Sequence, residues 1–380
     1  LKVDISFIPR IDDCPASHWD KLAGTDYPFC RHNFLAALEH SGSVGEDTGW
    51  QPTHALVHEH GELIAAMPLY LKTHSYGEYV FDWSWADAYH RNGLSYYPKL
   101  VSAIPFTPAT GPRLLCADTN LERVCAALVP ALADRARAAG ASSWHVLFVR
   151  PELRAQLEKQ GLVTRTGVQY HWFNQGYQGF DDFLGQCTSR KRKNLRKERQ
   201  KVTDQGISLH RFEGDALTPA LWQTFYRFYQ LTYAKRSGHG GYLRKNFFEQ
   251  IGASMADALV LVMARRQGEW IAGALNFRDS DTLYGRYWGC SEEWDMLHFE
   301  TCYYQGIDYC IEQGLKRFDP GAQGEHKIQR GFSPIFTASC HHIYHPDFAR
   351  AIAEFVTAEH RQLEHYRQQA TAALPFRKTS

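Results

Sequence analysis

Asp319, Glu325, His326 and Lys327 fall together in the stretch DPGAQGEHK, and Arg286 precedes them in the run LYGRYWGC. A carboxylate or an imidazole can take a proton from an attacking group, while an ammonium or a guanidinium can hold negative charge that develops on the other reactant. We read Asp319 or His326 as the base, with Glu325 beside them, and Lys327 and Arg286 as the anion-binding pair. Each has a plainer reading: Asp319 caps a turn before Pro320, His326 is an ordinary loop histidine, and Arg286 pairs with Glu300. Trp288, Glu300, Gln323 and Arg330 belong to the same stretch and are read with it as substrate-binding.

Two further groups carry chemistry. Tyr76, Glu78, Asp82, Trp83 and Arg113, with Gln169 and His171 alternating on one face of a later strand, mix aromatic rings with polar groups and suit a polar acceptor such as an amino sugar or a peptide. Tyrosine and tryptophan in strands are otherwise core residues. The run SRKRKNLRKERQK places Arg190, Lys191, Arg192, Lys193 and Arg196 around a helix with one narrow apolar stripe, which reads either as a solvated helix or as a site for phosphates. Cys340, His341, His342 and His345 match no standard zinc spacing, so no metal is expected.

The elements that would position these groups follow from hydrophobic periodicity. Ile271 to Phe277 and Thr282 to Trp288 are β-rich runs separated by a polar turn, an antiparallel hairpin. From Phe299 the apolar residues recur at helical spacing until Gly314, Leu315 to Phe318 turns extended, and the polar loop follows. Earlier, Lys2 to Ile8 reads as a strand, Ser17 to Leu22 and Asn33 to His40 as helices, and His54 to His58 with Glu62 to Leu71 as a hairpin. Tyr79 to Trp85 reads as a strand, Leu121 to Ala139 as a helix, and Ser143 to Phe148 and Val163 to Asn174 as strands. Phe348 to Gln369 forms a last helix, with Ile352, Phe355, Val356, Leu363 and Tyr366 on its docking face. GELIAA at Gly61 echoes GEWIAG at Gly268, each entering a hairpin, which suggests two similar halves.

The chain has 380 residues, enough for two domains of ordinary size. Lys plus Arg number 42 against 41 for Asp plus Glu, so no global field draws it to nucleic acid or an anionic membrane, and any such attraction must be local. Nine scattered cysteines without a C-x-x-C pair fit reduced thiols and a cytoplasmic setting. No apolar run is long enough to span a bilayer, and the opening residues do not read as a signal peptide.

The wording of several segments resembles the FemAB-like family, in its branch concerned with peptidoglycan biosynthesis or recognition. The resemblance rests on LYGRYWGC at 283–290, HFE at 298–300, GLKRF at 314–318, GAQGEHK at 321–327, RGF at 330–332, SYGEYVFDW at 75–83 and PFTP at 105–108. It implies an α/β protein of two tandem GNAT-like domains with mixed, largely antiparallel sheets, at 1–178 and 205–380, joined by a basic helix at 179–204. It also implies an acyltransferase that moves an aminoacyl or acyl group to an amine such as that of a peptidoglycan precursor. The alternatives are a cell-wall-precursor binding protein without chemistry and an acetyl-CoA-dependent N-acetyltransferase. The donor is either an aminoacyl-tRNA or an acyl-CoA, with no tightly bound cofactor. CoA is disfavoured, because the turn before the helix is not glycine-rich but carries Glu292, Glu293 and Asp295, which would repel a diphosphate.

Overall fold

The structure, a computed structural model, describes residues 3–322 and 324–377. Gln323, read from sequence as a substrate-binding residue, lies outside the described residues. The chain divides into two compact units, one formed by Leu1–Val168 with Phe336–His365 and the other by Gln169–Ile335 with Tyr366–Ser380.

The first unit contains an antiparallel sheet of four strands in the order Asp4–Ile8, His54–Glu59, Glu62–Met67 and Leu115–Cys116. Its other sheet runs from Trp50–Pro52 through Tyr70–Lys72 and Lys99–Ser102 to Ser143–Val146, which pairs with Cys340–Ile343. The helix Leu121–Ala138 carries Val124, Cys125, Leu128, Leu132 and Ala136 at helical spacing, and these pack into the unit's main apolar cluster. Lys99–Ser102 and Ser143–Val146 run parallel, as expected where a helical crossover joins two strands.

The second unit repeats this plan. Its strands lie in the order Ile207–Phe212, Leu259–Arg266, Glu269–Arg278, Thr282–Cys290 and Arg317–Asp319, the last flanked by residues 172 and 173. All pair antiparallel except Thr282–Cys290 with Arg317–Asp319, which are joined through the helical stretch from Leu297 to Gln313 and run parallel. Each unit is thus GNAT-like: a largely antiparallel sheet with one parallel pair after a core helix. The predicted hairpin is present, its turn held by the Asp279 carboxylate, which accepts from the backbone N–H groups of Asp281 and Thr282. The helix Ser189–Asp204, expected between the halves, docks within the second unit through Leu195 and Val202.

Two expectations fail. Tyr79 to Trp85 is not a strand: residues 73–82 form a loop and Trp83–Arg91 a helix. The aromatic residues that suggested a strand stand instead on a loop in which Tyr79 and Phe81 adopt left-handed backbone, at φ of 61° and 43°, while Glu78 and Asp82 turn inward. On the last helix, Pro346–Ala372, Ile352 and Val356 are buried but Phe355 is exposed, with the Arg165 guanidinium 5.8 Å from its ring.

Candidate functional site

The polar residues of the second unit converge where its parallel strand pair ends. Tyr284 is the register partner of Asp319, and Arg286 is the extra residue of a β-bulge, skipped between the pairs Leu275–Tyr287 and Asn276–Gly285, which turns its side chain onto the Asp319 carboxylate. Arg286 donates Nη1 to Asp319 Oδ1 at 3.1 Å and Nη2 to Oδ2 at 2.7 Å, with both side chains 1% exposed. The Gly321 amide donates to the same carboxylate at 3.0 Å. His171 Nε2 lies 3.5 Å from Oδ1 and 3.2 Å from Gln169 Oε1. Burial works against the Asp319 carboxylate, but Arg286 and then His171 outweigh it and hold the carboxyl well below its usual range. Burial also lowers His171 to about 4, against the pull of Asp319, so its ring is neutral.

The loop after Asp319 ends in a short helix, Glu325–Arg330. Lys327 is buried there and donates Nζ to Gly321 O at 2.9 Å. Burial brings its ammonium down to about 8, with Asp319 opposing the shift. His326 meets the Tyr303 hydroxyl at 2.9 Å, and burial followed by Arg330 and Lys327 lowers it to about 4. Arg330 packs its guanidinium 3.5 Å from the Phe299 ring centroid, bonds both oxygens of Glu198, at 3.1 and 3.0 Å, and donates to His326 O at 2.8 Å. Glu300 opens a π-helical turn, Glu300–Tyr304, and is gripped by Arg199 through Nε at 3.0 Å and Nη2 at 2.8 Å. Such turns recur at functional sites because they displace side chains from regular helix positions. Glu300 is therefore the partner of Arg199, and Arg286 that of Asp319.

A family model described as peptidoglycan biosynthesis/recognition, FemAB-like, matches residues 10–378. The chain belongs to the FemAB-like family. No protein of curated function matches the sequence. Among solved structures, FemX has 13% identity and a TM-score of 0.53, covering 90% of this chain and 98% of its own. The C-terminal domain of a protein named as a lysylphosphatidylglycerol synthetase, from Agrobacterium fabrum, has 11% identity and a TM-score of 0.54, covering 89% and 94%. A conserved protein of unknown function from Bacteroides thetaiotaomicron has 11% identity and a TM-score of 0.51, covering 89% and 99%. At such identities the likeness is one of fold. Membership of the family agrees with the expectation of a transferase on GNAT-like units. Among the described residues no helix is long and apolar enough to cross a membrane.

The other predicted residues of this FemAB-like chain fall in several places. Glu325 is exposed and accepts from the Tyr366 hydroxyl at 2.7 Å, and Trp288 packs edge-on to His298 at 5.1 Å in a side cluster. In the first unit Arg113 is fully buried and spends Nε, Nη1 and Nη2 on the carbonyls of Leu147, Pro112 and Ala109, so it pins backbone rather than reaching a ligand. Glu78 and Asp82 are buried on Lys99, whereas Tyr76 and Trp83 are exposed. On the basic helix, Arg190, Lys193 and Arg196 are exposed and Lys191 and Arg192 half-buried. Arg196 bonds Asp181, Lys191 bonds Gln329, and Arg192 reaches Cys187 O.

Sequence reasoning missed Lys72 and Lys99, both 0% exposed. The available signal was a lone lysine in each of two short apolar strands, YLK and KLVS. It also missed the clamps Glu198 and Tyr303, which resemble any surface acid and any core tyrosine until packing is known.

Proposed function

We propose that this protein transfers an aminoacyl group from aminoacyl-tRNA to the amine of a peptidoglycan-precursor-like acceptor, with Lys327 as the catalytic cation of the second unit. The carrying observation is the state of Lys327: buried, on a glycine-rich strand-end loop, brought to about 8, and using one of its three donors on Gly321 O. A pKa near the working pH suits a group that gives or takes a proton in the transition state.

In the step, the acceptor nitrogen attacks the ester carbonyl carbon, the carbon–nitrogen bond forms, and the bond to the ribose oxygen breaks. The proton lost by the amine ends on that ribose oxygen. Lys327 holds the negative charge of the tetrahedral species and supplies the leaving oxygen with its proton. Neutral His326, steadied by Tyr303, accepts the proton from the amine and passes it through solvent to Lys327, where it replaces the one given to the ribose oxygen and restores both groups. Asp319 is a positioning residue: clamped by Arg286, it fixes the turn at Gly321 and favours the charged form of Lys327.

Aminoacyl-tRNA is preferred to acyl-CoA on two grounds. The helix Ser189–Asp204 offers exposed Arg190, Lys193, Arg196 and Lys197, which suit phosphate contacts without sequence readout. At the turn where a GNAT enzyme would hold the CoA diphosphate stand Glu292, Glu293 and Asp295, of which Glu293 pairs with Lys235 at 2.8 Å and Asp295 with Lys201. The test is consumption of charged tRNA in the presence of an amine-bearing cell-wall precursor. Loss of turnover in Lys327→Met with tRNA binding retained supports the reading; undiminished turnover in that variant refutes the role of Lys327.

A further inference from the structure

The helix Ser189–Asp204 has two sides that do different work. Arg190, Lys193 and Lys197, at i, i+3 and i+7, lie on its exposed side. Leu195, Glu198, Arg199 and Val202, at i, i+3, i+4 and i+7, lie on the side that docks. Glu198 is the one acid between Ser189 and Lys201, and on a helix so rich in cations it would ordinarily pair with its own neighbours at the surface. It turns inward instead, with 20% of its side chain exposed.

Its carboxylate is filled by donors from two other elements. Arg330 donates Nε and Nη2 to the two oxygens at 3.1 and 3.0 Å, and Tyr304, in the π-helical turn, donates its hydroxyl. Arg330 passes the hold on: its Nη1 donates to the carbonyl of His326 at 2.8 Å, while the guanidinium lies 3.5 Å from the Phe299 ring centroid. The ring of His326 meets Tyr303, the neighbour of Tyr304. Glu198, Arg330, His326 and the two tyrosines thus close a ring of contacts around the proton acceptor. Arg199 braces the same turn at its first residue, Glu300.

The helix Glu325–Arg330 needs such a hold. Its six residues are too few to be stable alone, and Gly324 and Gly331 on either side take positive φ, 115° and 87°. Tyr366 and Lys191 bond its exposed side chains Glu325 and Gln329. Lys327 bonds Gly321 of its own loop, so Arg330, with 7% of its side chain exposed, carries the buried link from this helix to the helix Ser189–Asp204.

We propose that Glu198 is a positioning residue for the transfer, which through Arg330 fixes the place of His326 and so ties the catalytic helix to the helix offered to tRNA. Glu198 touches no reactant. Its carboxylate pairs a guanidinium that would otherwise stand unpaired among aromatic rings, and a displacement of the proton acceptor by about 1 Å can cost about 10²-fold in rate. The phosphates of the donor and the acceptor of the proton then lie on opposite sides of one helix, with Glu198 as the link.

The role rests on the transfer proposed above, and a measurement of backbone exchange keeps the two separable. Hydrogen exchange of the whole protein, read by mass spectrometry, is compared between the native chain and Glu198→Gln, which keeps the size of the side chain and removes its charge. The amides of Lys327, Gly331 and Phe332 donate to Gly324 O, Ile328 O and Lys327 O at 3.0, 3.1 and 3.2 Å, so they report the integrity of the catalytic helix. Exchange over residues 325–332 is expected to rise about tenfold or more in Glu198→Gln, with the strand Leu259–Arg266 unchanged as the control for folding. In turnover, Glu198→Gln is expected to lower kcat about tenfold or more without raising KM for charged tRNA, and Glu198→Asp to recover part of the loss. Exchange over 325–332 equal to that of the native chain, equal acceleration in the control strand, or an unchanged kcat would overturn the role of Glu198. Absence of transfer by the native protein would refute the transfer and leave the exchange result to decide on Glu198.

Discussion

Arg286 and Asp319 form a two-pronged ion pair inside the second unit, with nitrogen–oxygen distances of 3.1 and 2.7 Å and neither side chain more than 1% exposed. Removing one partner strands a buried charge. Arg286→Met is therefore expected to destabilise the protein by about 3–5 kcal/mol, whereas Arg286→Met with Asp319→Leu recovers most of the loss. Denaturant unfolding of the single and double variants measures both.

The same pair sets a pH dependence. The folded Asp319 carboxyl lies below the unfolded value of about 3.9. Its stabilisation is then complete above about pH 4 and is lost as pH falls through the folded value. Thermal melting followed from neutral pH downward should show this acid-sensitive component in the native protein, and Arg286→Met should lack it.

Lys327 works in the opposite pH range. Because its ammonium titrates at about 8, transfer is expected to fall as pH rises beyond that point, and Lys327→Arg should move the decline upward. Lys327→Met should lower kcat by about 10²–10³-fold, the usual cost of removing a transition-state donor. Rate–pH profiles of the three proteins read this directly.

How much of this was legible in the sequence differs between its parts. The hairpin at Glu269–Cys290 and the helix closing at Gly314 follow from periodicity and turn chemistry, and both are present. The partner of Asp319 does not follow, because it depends on strand register: Arg286 sits two residues past the partner of Asp319, while Glu300 is claimed by an arginine far upstream. The segment from Tyr79 was misread because aromatic residues are enriched in strands, whereas here they stand on an irregular loop and the first turn of the helix Trp83–Arg91. Lys99 was invisible for a different reason, since the carboxylates that make its burial tolerable lie 17 and 21 residues away on that loop.

Binding of tRNA should be ionic and located on the helix Ser189–Asp204. Replacing exposed Arg190 and Lys193 by alanine is expected to weaken binding at every tRNA tested and to reduce the slope of log K against log salt by about 0.7–0.9 for each phosphate that the variant no longer neutralises. Both side chains are exposed, so the melting temperature should not change. Filter binding across a salt series distinguishes this from a helix that is merely solvated.

Gly289 tests the packing of the second unit. A Cβ there would lie 2.2 Å from the backbone carbon of Phe228 on the helix Pro219–Ser237. Neither backbone can yield cheaply, so Gly289→Ala is expected to cost about 1–3 kcal/mol by overpacking. A melting curve unchanged from the native one would mean that this helix rides further from the sheet.

The central claim is aminoacyl transfer, and mass spectrometry of the acceptor tests it most directly. An amine-bearing peptidoglycan precursor is incubated with the protein and either a mixture of aminoacyl-tRNAs or acetyl-CoA. The account predicts a gain of one amino-acid residue with the tRNA mixture, abolished in Lys327→Met, and no change with acetyl-CoA. An acetyl gain from acetyl-CoA, or no change with either donor, would contradict it.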